Sequence, residues 1–131
     1  MKNILVFVSV LLFTASCDAL DGKEIDIAVL SMSKSIDTSM PDRRLCAEFF
    51  MSKEELNSYF KVAEEVDAAT SNAESIILTC KYEGKIRINN TEFSYEVMAG
   101  GAGFIYDLNG WAVKNYLCRD KCCCSKFKHL C

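Results

Sequence analysis

The last fourteen residues, CRDKCCCSKFKHLC, hold Cys118, the triplet Cys122, Cys123 and Cys124, and Cys131, together with the chain's one histidine, His129; the whole chain has eight cysteines. Thiols and an imidazole at this density suit three chemistries: a tetrahedral zinc or copper(I) site, a redox-active dithiol, or a set of disulfide staples. A metal site would draw on Cys118, the triplet, His129 and Cys131, yet the paired C-x-x-C arms of familiar zinc sites are missing. A thioredoxin-type dithiol needs C-x-x-C at a helix start, where the thiol pKa is lowered, and that is missing too. Which chemistry applies depends on the redox compartment.

Other site chemistry finds little footing. With His129 as the sole imidazole, placed in the cysteine-rich tail, a serine or cysteine nucleophile has no convincing general base. The glycine-rich AGGAG lacks the lysine and helix start of a phosphate-cradling loop. The expectation is a binding module with no enzymatic activity, no cofactor and no resident metal. A formal net charge of −3 does not suggest nucleic acid, whose phosphates select strongly basic surfaces.

The N-terminus supplies the compartment. MKNILVFVSVLLFTASCDAL has one early charge, Lys2, an apolar run from Ile4 to Phe13 broken only by Ser9, and small residues up to Ser16. The run is about half of the ~20 residues that a spanning helix needs, so residues 1–16 read as a signal peptide. Cys17 follows at once, and TASC resembles the lipobox of bacterial lipoproteins. That resemblance implies a lipid on Cys17 and a chain anchored to the membrane, facing the periplasm. Asp18 resembles the signal that retains such proteins in the inner membrane. Ordinary cleavage after Ser16 or Ala19, giving a soluble secreted product, is the alternative. An oxidising envelope favours disulfides, so Cys46, Cys80, Cys118 and Cys131 are expected in bridges, with Cys80 and Cys118 placed to tie the sheet's margins. Seven cysteines besides Cys17 leave one odd thiol, expected within the triplet.

The elements that position these groups follow from periodicity. Residues 17–44, rich in Ser, Asp and Lys and ending near Pro41, read as a lipidated N-terminus and tether, although the alternation of Ile25, Ile27 and Val29 also suits an edge strand or one turn of helix packed on the domain. The domain is expected over 45–131. Ser52 and Glu55 form a capping-box signature ahead of Leu56, Tyr59, Phe60, Ala63 and Val66, which predicts an amphipathic helix over 53–68 with Glu64 and Glu65 on its polar face. DAATSNAE reads as a loop. The period then falls to two in SIILTCKYEGKIRIN and TEFSYEV, joined at Asn89-Asn90, and DLNG joins GFIY to WAVKNYLC. The fold class is α+β: one amphipathic helix packed on a small antiparallel sheet of three to five strands, stapled by disulfides.

AGGAGFIYDLNGW is the candidate partner surface, through Gly101, Gly103, Tyr106 and Trp111. Glycines inside a strand imply a bend or a close backbone approach, and aromatics anchor protein interfaces. AGFIY resembles the S-G-x-x-Y loop of the membrane-bound and periplasmic inhibitors of c-type lysozyme, with Ala102 in place of the serine. That resemblance implies that Tyr106 enters an enzyme cleft. Lipid anchor, tether, compact α+β domain and acidic helix together resemble the periplasmic immunity lipoproteins, which implies protection against an envelope-attacking effector. A metal-binding lipoprotein using the Cys/His tail is the alternative of a different class.

Overall fold

The computed structural model describes residues 25–37, 39, 41 and 43–131, apart from the side chains at 43, 45 and 122. The expected signal peptide over residues 1–16, Cys17, Asp18 and the first part of the expected tether lie outside the described residues. Among the described residues, no helix is long and apolar enough to cross a membrane.

One antiparallel sheet of seven strands organises the described residues. Its centre is a meander of β4 (Cys80–Ile88), β5 (Thr91–Met98), β6 (Ala102–Tyr106) and β7 (Ala112–Leu117). The β4–β5 turn is the one expected: Asn89 and Asn90 have φ of 47° and 68°, the left-handed pair that a two-residue hairpin demands and that asparagine tolerates. Three further strands bring the sheet to seven among the described residues, two above the upper end of the expected number. β1 (Ile27–Val29) and β2 (Ser33–Ile36) both pair with the outer edge of β4, and β3 (Glu64–Val66) pairs with β7 at the opposite edge.

The tether reading is therefore corrected from residue 27 onward. Val29 stands opposite Ile86 and Ser33 opposite Glu83, so three residues, 30 to 32, face two. This bulge is held by the amides of Leu30 and Ser31, both donating to the Lys85 carbonyl, and by the Tyr95 hydroxyl, which donates to the Ser31 carbonyl at 3.0 Å. Lys34 of β2 then donates to the carbonyls of Cys46 and Phe49, tying the strand to α1 (Arg43–Ala47).

Among the described residues four short α-helices and one 3-10 turn accompany the sheet, where a single helix was expected. α2 (Lys53–Val62) starts at the anticipated capping box: the Glu55 amide donates to Ser52 Oγ at 3.1 Å, and the Ser52 amide donates to Glu55 Oε2 at 2.7 Å. It ends six residues before the expected boundary. Glu64 and Glu65 belong to β3, where they pair with Arg119 and Lys114, and so are not a helical acidic face. The expected loop DAATSNAE forms α3 (Ala68–Glu74), capped by Asp67, whose carboxylate accepts from the Thr70 amide at 2.7 Å.

The buried face of α2 carries Leu56, Tyr59 and Phe60. Phe60 meets Tyr59, Tyr95 and Tyr116 edge-on, with ring centroids 5.1, 5.7 and 5.4 Å apart, the geometry that places positive ring edges against negative faces. Burial pushes the phenols of Tyr95 and Tyr116 up to about 12, and that of the more deeply buried Tyr59 further still. A folded-state pKa above the unfolded value of about 10 means that the native chain keeps protons which the unfolded chain releases. The stability these phenols contribute is complete below pH 10 and is lost as pH rises toward 12. Urea midpoints are thus expected to fall between pH 9.5 and roughly 11.5, and a flat profile over that window would contradict this reading of the core.

Candidate binding surface and sulfur cluster

The turn between β6 and β7 presents the most exposed large apolar side chains of the candidate segment: Leu108 is 85% and Trp111 73% exposed. The turn holds itself in shape. The Asp107 carboxylate accepts from the amides of Asn109 at 2.8 Å and Trp111 at 3.0 Å, and the Asp107 amide returns a bond to the Trp111 carbonyl at 3.0 Å. Such an aspartate-centred turn fixes the backbone from within, so the indole stands in water on a braced platform. Beyond it, Ile105 pairs with Lys114 and Tyr106 with Ala112, which leaves Val113 as the extra residue of a β-bulge, its side chain also exposed.

Tyr106 lies beside this tip on the sheet face away from α2. Its hydroxyl donates to Glu96 Oε2 at 3.1 Å, its ring tilts against Phe104, and Lys81 bonds both Glu96 and Glu83. Partial burial, and after it the charge and hydrogen bond of Glu96, push the Tyr106 phenol up to about 12, so it remains a donor at any physiological pH. Burial alone would lower the Lys81 pKa, but its bonds to Glu96 and Glu83 outweigh that and hold it raised. With Lys85, Ser94, Glu96, Asp107, Leu108 and Gly110, Tyr106 lines an open groove of about 440 Å³. The surface is thus an apolar tip beside a groove with fixed donors and acceptors, a combination that suits protein recognition.

Two of the four expected partner residues do not reach it. Gly101 and Gly103 are buried. At Gly103 a Cβ would lie 2.5 Å from the Tyr59 ring, so the close approach anticipated for an outside partner is made by α2. Gly101 sits at φ 91°, with the Leu130 carbonyl 2.9 Å from where its Cβ would be, and its own carbonyl accepts from Tyr59 Oη at 2.8 Å. The glycine run therefore serves internal packing. Leu108 and Val113 were not anticipated. Their one sequence signal is the placement of apolar residues in and next to a turn.

The tail holds the other cluster. Cys46 and Cys80 are bridged, and so are Cys118 with Cys123 and Cys124 with Cys131. Cys80 and Cys118 thus bond elsewhere than across the sheet's margins. Asp120 caps α4 (Lys121–Lys126) by accepting from the Cys123 amide at 2.8 Å, and the 3-10 turn Lys128–Leu130 folds the end of the chain back. This brings the sulfurs of Cys118, Cys124 and Cys131 within 4.8 Å of one another. His129 is outside that group; its exposed ring faces Phe49 and Phe127 at centroid distances of 6.3 and 6.4 Å.

Among the basic residues of the tail, Lys121, Lys126 and Lys128 are exposed, whereas Arg119 is engaged by Glu64 and Glu74. The Arg119 hydrogen bond holds the Glu64 carboxyl below the usual range. No protein-family model, curated protein or solved structure matches this chain.

Proposed function

We propose that this protein is a lipid-anchored periplasmic binding module that blocks an envelope-attacking enzyme or effector, with the β6–β7 tip as its contact surface. The observation that carries the reading is the full presentation of Leu108 and Trp111 on a turn that Asp107 already holds rigid. A braced aromatic loses little conformational freedom when a partner covers it, which is why such residues dominate interface energies. Tyr106 supplies a neutral hydroxyl and Glu96 a carboxylate at the groove's wall. The acidic balance of the chain would favour a basic partner and raise the association rate more than the affinity.

Inhibition of a lysozyme-like enzyme uses the same surface. Of the two residues that carry that resemblance, Tyr106 is half-buried at the groove and Gly103 is beneath Tyr59.

The test is capture of partners from a periplasmic extract by the full chain, with Trp111→Ala and Leu108→Ala compared to the parent. Each variant is expected to weaken capture at least tenfold (about 1.4 kcal/mol or more) while unfolding at the parent's urea midpoint, because neither side chain is in the core. Undiminished capture by both would remove the tip from the interface.

The anchor has its own test. The three bridges among the described residues use six of the eight cysteines, and Cys17 and the Cys122 side chain lie outside the described part. With Cys17 lipidated, alkylation of the native protein is expected to modify one thiol, at Cys122. No modified thiol, together with a Cys17–Cys122 peptide in a non-reducing digest, would replace the lipid by a fourth bridge.

A further inference from the structure

We infer that the tail is a reduction-gated zinc site, in which Cys118, Cys123, Cys124 and Cys131 hold one Zn²⁺ once both tail bridges are opened. Three of these sulfurs, Cys118, Cys124 and Cys131, already lie within 4.8 Å of one another, and Cys123 starts in bond contact with Cys118. Tetrahedral zinc–thiolate bonds of about 2.3 Å place the four sulfurs roughly 3.8 Å apart. Three of the sulfurs therefore need only small shifts to become ligands, and Cys123, which lies outside that group, joins them by rotating its side chain once its bridge to Cys118 is open.

The remaining features of the tail fit this use. Cys118, Cys124 and Cys131 line a groove of about 270 Å³ together with Gly101, Arg119 and Leu130, which gives an ion and a reductant a common way in. Cys131 is exposed, Cys124 half-buried, and Cys118 and Cys123 buried. The outer bridge thus opens first. Four thiolates around Zn²⁺ carry a net charge of −2, and the exposed Lys121, Lys126 and Lys128 flank them.

The reductant is a dithiol. One dithiol gives two electrons and two protons to the Cys124–Cys131 bridge and leaves as a disulfide. A second does the same for Cys118–Cys123, reached directly or after the Cys124 thiolate attacks Cys118 and releases Cys123. Binding of Zn²⁺ then releases the four thiol protons.

The experiment uses the full chain, oxidised or reduced with a phosphine under anaerobic conditions, loaded with Zn²⁺ or Co²⁺ and desalted. Reduced protein is expected to retain one equivalent of Zn²⁺, and its Co²⁺ form to show the intense sulfur-to-metal bands of a four-thiolate tetrahedral site. Oxidised protein is expected to retain none. His129→Ala is expected to keep full stoichiometry, whereas Cys118→Ser combined with Cys131→Ser loses it. Reduced wild-type chain without retained metal would overturn the inference, as would a cobalt spectrum showing nitrogen ligation or full retention by the double-serine variant. The wild-type cobalt spectrum decides the matter even where a serine variant fails to fold.

Discussion

Replacing Cys46 and Cys80 together by serine is expected to lower unfolding stability by about 4 kcal/mol, more than opening either bridge of the tail. The bridge closes 34 residues of sequence separation, against 5 and 7 in the tail. In the chain-entropy account the constraint on the unfolded state grows with the logarithm of loop length, giving about 4 kcal/mol for the long loop and roughly 2 to 2.5 kcal/mol for each short one. Both cysteines are also fully buried, so two serine hydroxyls would enter the core cluster that includes Phe49 and Tyr82. Urea midpoints of the three double-serine variants check the ranking. A tail bridge that matched or exceeded Cys46–Cys80 would show that the loop argument does not govern this domain.

The second large effect joins Tyr59 to Gly103. Tyr59→Ala is expected to destabilise by about 3 to 5 kcal/mol, since a fully buried ring is removed from between Phe60, Phe127 and the sheet. Tyr59→Phe should lose only about 1 kcal/mol, because the Gly101 carbonyl that accepts the phenol also accepts the Cys118 amide at 2.9 Å. Gly103→Ala drives a methyl into a ring that cannot swing aside, for about 1 to 3 kcal/mol. The double variant Tyr59→Ala with Gly103→Ala is expected to be more stable than the sum of the singles predicts, as the clash vanishes with the ring. Strict additivity would mean that the two do not share a contact.

What the sequence disclosed were the features whose cause is local. The capping box at Ser52 and Glu55, the Asn89-Asn90 hairpin and the DLNG turn each depend on two to four adjacent residues, and each is present. The failures have equally specific causes. Val66 continues the spacing of Leu56, Tyr59 and Ala63, and the two successive exposed glutamates give β3 no alternation, so no pattern marks the helix end at Val62. β1 left a trace in the alternation of Ile27 and Val29, whereas β2 hid because an edge strand presents few apolar residues, and Ser33, Lys34 and Ser35 look like tether. At the candidate surface, aromatic identity pointed to Trp111, but burial alone told that Gly101 and Gly103 turn inward. Bridge connectivity is a tertiary fact that spacing does not encode.

The entry of β1 into the sheet at Ile27 bears on how the protein would meet a partner. If Cys17 carries the lipid, the leash is not the 28 residues of the composition-based tether but the ten or so between Cys17 and Ile27, about 35 Å when fully drawn out. β1 lies at one margin of the sheet and the β6–β7 tip three strands away. A short leash fastened at one margin restricts the tip to a thin shell of space above the bilayer. Within that shell the local concentration toward a membrane-bound target is high, and toward a target further out in the periplasm it falls away. Lengthening the leash with a glycine-serine insert before Ile25 would then widen the reach while diluting the encounter.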